Sequence, residues 1–253
     1  MTATFRERLR RGDVLVGTFL NTGSAVAAEI CALAGFDWVL VDLEHGSATE
    51  ADLLPVLQAV GGSSATPFVR VEANERARFT KVLDFGAEGV MVPRVDDAEA
   101  ARGAVSHLRY GQEGDRGVAL LNRGAAYGAR GRETIETFNE RVVGIVQIES
   151  EAGVADVDAI AAVDGVDVLF VGPSDLTHSL GIFQQTGHPR YVEAVDRVVG
   201  AARSREKALG VLVRDPADFA RYRELGFTFV AFGSDTSFLA TGARAAVDAA
   251  RTR

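Results

Sequence analysis

Eight short apolar runs, each followed by a helical pattern, limit what this chain can fold into. The runs are Val14–Leu20, Trp38–Asp42, Thr66–Arg70, Gly89–Val92, Val142–Ile148, Val168–Val171, Leu209–Val213 and Phe229–Phe232. Runs such as WVLVD are apolar without alternation, the pattern of a strand covered on both faces. Between and after them lie helical segments. Ser24 can cap SAVAAEICALAG, and Thr49–Val60, Glu75–Phe85, Asp96–Leu108, Val154–Val163, Arg190–Ala208, Pro216–Leu225 and Ser237–Arg251 complete the set. Glycines such as Gly35 and Gly86 close these helices. Strict alternation specifies a parallel sheet. Eight units in 253 residues predict a closed (β/α)8 barrel, one α/β domain over residues 1–253, rather than an open sheet. Phe5–Arg11 reads as a short charged helix or arm, and Ser174–Thr186 as a loop with a helical turn. The Gly- and Arg-rich segment Arg109–Asn139 exceeds the usual connection and is expected to be functional or partly helical.

The net charge of −8, with no basic cluster, argues against a nucleic-acid partner. A single cysteine, Cys31, excludes a disulfide framework and points to a reducing, cytoplasmic setting. The start, MTATFRERLRRGD, lacks the apolar core of a signal peptide, and no apolar run approaches the roughly 18 residues of a membrane span.

Barrel chemistry sits at the carboxyl ends of the strands. The fifth strand stops at Glu149 and the sixth at Asp175, so two carboxylates meet in one crevice. Like charges there need neutralising, and a divalent cation with oxygen ligands does so. Two protein carboxylates leave positions for water and substrate, which suits magnesium or manganese, with cobalt or zinc as further options. The alternative is that both acids cap the following helices. Gln147 stands two residues before Glu149 and faces the same side. Gly172 and Ser174 end the sixth strand, and Leu212 the seventh.

Arg70 ends an apolar strand, which favours a carboxylate or enolate ligand; the alternative is an ion pair with Asp42, Asp84 or Glu44. His45 follows Asp42 by three residues, a spacing in which an acid can fix the imidazole tautomer for proton transfer. Its alternative is a loop histidine bonded to backbone. The only lysines, Lys81 and Lys207, lie mid-helix and before the seventh strand. Imine chemistry is therefore not expected, and a metal Lewis acid remains. GxGxxG and GxxxxGK[ST] loops are absent, so no nucleotide or other organic cofactor is expected.

Taken in order, VDLEHG, PFVRV, LDFGAEGVMVPRVDDAEAA, VQIESEAG, LFVGPSDLTHSLG and FVAFGSDTSFL resemble the HpcH/HpaI family of class II, metal-dependent pyruvate aldolases. The resemblance runs from about Val14 to Leu239. It implies a hexamer built from dimers that exchange the last helix, with Glu149 and Asp175 on the metal. Arg70 would hold the pyruvyl oxygen, and His45, supported by Asp42 and Asp84, would move protons. Gln147, Gly172, Pro173 and Ser174 would surround the 2-oxo acid, with Leu212 against it. The substrates implied are a small 2-oxo acid and an aldehyde. Many members have a tyrosine-proline-proline segment after the fourth strand, where this chain reads RYGQEGDRG. Many have a tryptophan near the end of the first strand, where this chain has Thr18-Phe19-Leu20. Three rival readings remain: an acyl-CoA lyase on a related barrel, a phosphate-binding barrel using FGSDTS, and a non-catalytic metal-binding barrel.

Overall fold

The computed structural model describes residues 3–251. Its strands are β1 (Leu15–Leu20), β2 (Trp38–Asp42), β3 (Thr66–Arg70), β4 (Gly89–Val92), β5 (Val143–Ile148), β6 (Val168–Val171), β7 (Ala208–Val213) and β8 (Phe229–Ser234). They pair in chain order and all in parallel, and β8 closes on β1. The helices are α1 (Phe5–Arg10), α2 (Ala25–Leu33), α3 (Glu50–Val60), α4 (Arg76–Asp84), α5 (Ala98–Leu108), α6 (Glu133–Arg141), α7 (Glu151–Ala155), α8 (Val157–Ala161), α9 (Pro173–Ser179), α10 (Pro189–Ser204), α11 (Pro216–Glu224) and α12 (Asp235–Arg251). This is the (β/α)8 barrel that the alternation predicts.

The period of two along each strand divides the core in two. Odd positions of β1, such as Leu15 and Phe19, and even positions of β2 and β3, such as Trp38, Leu40 and Phe68, fill the barrel. Their neighbours, such as Val39, Val41 and Val69, face the surrounding helices. At the amino-terminal end the interior is aromatic. Trp38 stacks on Phe229 at 4.0 Å, and Phe5 of α1 closes the barrel edge-on against Phe68 at 5.0 Å. The indole N–H is satisfied by the Leu15 carbonyl at 3.0 Å. Gly17 makes room for that indole: a Cβ there would lie 2.0 Å from the ring. The N-terminal segment is thus a plug as well as a charged helix, since Arg6 is buried against Asp167 at 2.7 Å.

The helix expected over Val154–Val163 is broken into α7 and α8 at Asp156, whose backbone leaves the helical region (φ −101°, ψ 10°). Its carboxylate is drawn instead to the Ala98 N–H at the start of α5, 2.8 Å away. The long segment after α5 forms two short 3-10 turns before α6. It is pinned by Arg123, which donates to the carbonyls of Leu57 and Phe85 at the ends of α3 and α4. Gly61 and Gly86 leave space for that guanidinium, which a Cβ at either position would approach to 2.7 Å. Cys31 is buried in the outer core, as a small apolar residue. Among the described residues no helix is long and apolar enough to cross a membrane.

Candidate active site

Continuing the inward period of each strand past its end generates the site. Asp42 follows Trp38 and Leu40 on β2, and Arg70 follows Phe68 on β3. Gln147 and Glu149 follow Val143 and Ile145 along β5, and Gly172 and Ser174 follow Val168 and Phe170 along β6. Asp42, Arg70, Gln147, Gly172 and Ser174 line a cavity of about 350 Å3 at the carboxyl-terminal rim, together with His45, Pro173, Asp175 and Leu212. Glu149 joins it through its hydrogen bond with Gln147.

A chain of hydrogen bonds crosses the cavity floor. Asp42 and Arg70 are register partners on adjacent strands. Arg70 Nε and Nη2 donate to the two oxygens of Asp42 at 2.8 and 2.7 Å, a bidentate pair. Arg70 Nη1 donates to Gln147 Oε1 at 3.2 Å, and Gln147 Nε2 donates to Glu149 Oε2 at 2.7 Å. Burial works against the Arg70 charge, but the Asp42 bonds and the charges of Glu44 and Glu149 outweigh it and raise its pKa. The alternative reading of Arg70 as an ion-paired residue is therefore also realised, since Asp42 and Glu44 are both partners. Glu44 Oε2 lies 3.1 Å from Arg70 Nη1, yet is not aligned as a hydrogen-bond acceptor. Burial pushes the Glu44 carboxyl up against the pull of Arg70.

Glu149 is pushed up to about 7, chiefly by burial, with the nearby Asp175 and Glu44 charges adding to it. One bond opposes this: the Arg94 N–H reaches Glu149 Oε1 at 2.9 Å. Arg94 holds a left-handed backbone (φ 49°) in presenting that N–H. Gly172 leaves the other side open, because a Cβ there would lie 2.6 Å from Glu149 Oε2. Among the described residues neither Glu149 nor Asp175 has a basic side chain at ion-pairing distance, and no three His, Cys, Asp or Glu side chains form a metal-ligand group. Two neighbouring carboxylates, one of them held partly protonated chiefly by burial, fit a hard divalent cation that takes its remaining ligands from water and substrate.

His45 is exposed at the cavity mouth, its Nε2 3.9 Å from Glu44 Oε2. Asp42 does not touch the imidazole. Its Oδ1 accepts the backbone N–H groups of Glu44 and His45, so it fixes the turn that carries the histidine and holds Arg70. Asp84 stands apart. It ends α4 at the opposite end of the barrel, where it pairs with Arg116 at 3.1 Å. Within one chain it therefore does not meet His45. The other expected residues do converge. The remaining histidines bond elsewhere: His107 to Asp115, His188 to the start of α10, and His178 against Phe183. Lys81 pairs with Glu50, and Lys207 donates to the Val163 carbonyl, away from the cavity.

Several residues of the site carry no function in the sequence reading. Phe19 lies under the Arg70 guanidinium at 5.3 Å. Asn21 and Arg214 line the cavity, and Glu44 and Arg94 support its charged groups. The signal for Asn21 and Arg214 is the inward period of β1 and β7, carried two residues beyond Phe19 and Leu212. Asp235 bears on the phosphate reading of FGSDTS. Its carboxylate accepts from the N–H groups of Asn21, Thr22 and Thr236, so an anion already occupies the loop.

A closed parallel barrel with a buried arginine and paired carboxylates at its carboxyl-terminal rim has the architecture of a (β/α)8-barrel enzyme. The HpcH/HpaI aldolase/citrate lyase model matches residues 15–241, and the chain belongs to that family. It is 38% identical over 244 residues to a 5-keto-4-deoxy-D-glucarate aldolase of Escherichia fergusonii, covering 96% of this chain and 95% of the relative. It is also 38% identical over 257 residues to a hydroxypyruvate/pyruvate aldolase of Paraburkholderia phytofirmans, covering 99% and 98%. A crystal structure of a family member from Burkholderia cenocepacia superposes with a TM-score of 0.93 at 38% identity, covering 97% of this chain and 98% of the other. The protein is an aldolase, a carbon–carbon lyase, of a family with a divalent-metal requirement.

Proposed function

We propose that the enzyme reversibly cleaves 4-hydroxy-2-oxo acids to pyruvate or hydroxypyruvate and an aldehyde. The observation that carries this reading is the bonded line Asp42–Arg70–Gln147–Glu149, which faces Asp175 across one cavity. Glu149 and Asp175 would hold the cation, and magnesium or manganese suits their oxygen donors. When bound, that cation supplies a Lewis acid for the 2-oxo group.

The protein's own groups do the rest. Arg70, held by Asp42, offers N–H groups where negative charge develops on the keto oxygen as the carbon–carbon bond breaks. Gln147 and the backbone at Gly172, Pro173 and Ser174 bound the 2-oxo acid, with Leu212 as an apolar wall. His45 at the mouth is placed to take the 4-hydroxyl proton, directly or through water, and to return it in synthesis. The aldehyde half extends from there toward β1, β7 and β8. Resemblance to sugar-acid and hydroxypyruvate aldolases supports a polar aldehyde. No cation cluster at this cavity favours an acyl-CoA substrate.

The same reading includes a cytoplasmic homo-oligomer, a hexamer of helix-exchanging dimers. Residues 241–251 of α12 are exposed on every side, as are Val26, Ile30 and Leu33 of α2. Light scattering tests this: a monomer mass would overturn it.

The test of function is a panel of aldehydes with pyruvate or hydroxypyruvate, run on metal-stripped protein with and without Mg2+ or Mn2+. Aldol product is expected only with metal. Full turnover in excess chelator, or no product with any aldehyde, would overturn the reading.

A further inference from the structure

We propose that Asn21 is a specificity-determining residue, whose Oδ1 accepts a hydrogen bond from a hydroxyl on the aldehyde half of the substrate. The proposal rests on the aldolase reading above. Asn21 continues the inward series Leu15, Gly17, Phe19 beyond the end of β1 and lines the cavity.

Its backbone is fully engaged. The N–H donates to Asp235 Oδ1 at 2.8 Å, and the carbonyl accepts from the N–H and Oγ of Ser47 at 2.7 and 3.0 Å. The main chain is thereby tied to the end of β8 and to the turn that carries His45. The side chain takes no part in this stitching. Its Oδ1 is buried and has no donor. A buried acceptor without a donor is unfavourable; as it stands Oδ1 is closed to a water-sized group, so the amide turns into the cavity to meet a ligand O–H, and that bond removes the deficit.

The position selects which part of the ligand can do so. In the closed order of strands, β1 stands across the barrel from β5, which carries Gln147 and Glu149. A 2-oxo acid held at β3, β5 and β6 therefore directs its aldehyde portion toward Asn21. A site built to bond a hydroxyl discriminates strongly against the analogue that lacks it.

The experiment compares D-glyceraldehyde with propionaldehyde, which has the same carbon frame without hydroxyls, as partners for pyruvate under Mg2+. The readout is the ratio of their kcat/KM values in wild type, Asn21→Leu and Asn21→Asp. Wild type is expected to favour glyceraldehyde. Asn21→Leu, of similar volume but without an acceptor, should lower that ratio by about tenfold or more. Asn21→Asp, which keeps the acceptor, should retain most of it. An unchanged ratio in Asn21→Leu overturns the proposal. Equal loss in Leu and Asp variants also overturns it, because it assigns the contact to the amide N–H. If wild type turns over neither aldehyde, the aldolase reading itself fails, an outcome separate from both.

Discussion

Asp42 and Arg70 are direct register partners on β2 and β3, joined by two hydrogen bonds of 2.8 and 2.7 Å below the cavity. One is 1% exposed and the other 7%, so each charge depends on the other for its solvation. The guanidinium is thereby fixed before any substrate arrives, and in the proposed reaction it would need no reorganisation as charge develops on the keto oxygen.

Removing Arg70 should therefore affect catalysis more than cation binding. Arg70→Ala is expected to lower cleavage by about 10²–10³-fold, the usual loss for an oxyanion donor. Manganese binding followed by paramagnetic resonance should persist. Asp42→Ala leaves the buried guanidinium with Glu44 as its remaining ion-pair partner and Gln147 as its acceptor, and should cost about 3 kcal/mol in chemical denaturation. Wild-type stability in that variant would show that Glu44 replaces Asp42.

If Glu149 holds the cation as proposed, its raised pKa makes cation binding pH-dependent. The free carboxyl titrates at about 7, so below that pH a cation must displace a proton. Affinity for Mg2+ or Mn2+ should fall about tenfold per unit as pH drops below 7, and flatten above it. Calorimetry in buffers of different ionisation enthalpy measures the released proton, and no release at pH 6 would contradict the assignment. The sign for folding is opposite. Between the ordinary 4.5 and about 7 the metal-free native state holds a proton that the unfolded chain has lost, so its stability declines as pH rises through that window.

The His45 imidazole is exposed and makes no bond to Asp42, which holds only the backbone N–H, so substitution of the side chain should leave the fold intact. His45→Ala is expected to lower aldol cleavage by about 10²–10⁴-fold while oxalate, a mimic of the 2-oxo acid end, still binds. Equal losses in cleavage and oxalate affinity would mean that His45 holds the ligand instead.

Gly17 tests the barrel interior. A methyl there would sit 2.0 Å from the Trp38 ring, which is stacked on Phe229 and bonded to the Leu15 carbonyl. The ring has nowhere to retreat. Gly17→Ala should cost about 3 kcal/mol or more. Adding Trp38→Leu should recover part of the loss, and additive losses in the double variant would contradict the steric account.

Local pattern alone determined the barrel. Apolar runs of strand length, alternating with glycine-closed helices, admit one closed parallel arrangement, and the acids Glu149 and Asp175 stand visibly where two runs stop. Which groups bond across that rim was decided only by tertiary structure. Arg70 finds Asp42, 28 residues away, as its register partner, and reaches Gln147, 77 residues away, two strands round the barrel. Asp42 reaches backbone N–H groups and Arg70 rather than the imidazole, since a turn three residues long aims its oxygens along the chain. Asp84 lies near the others in sequence but at the far end of the barrel, because α4 runs back against the strands. Periodicity tells which side of its strand a residue faces. Hydrogen-bond partners are chosen over distances of about 3 Å, and these follow from the stagger and closure of eight strands together.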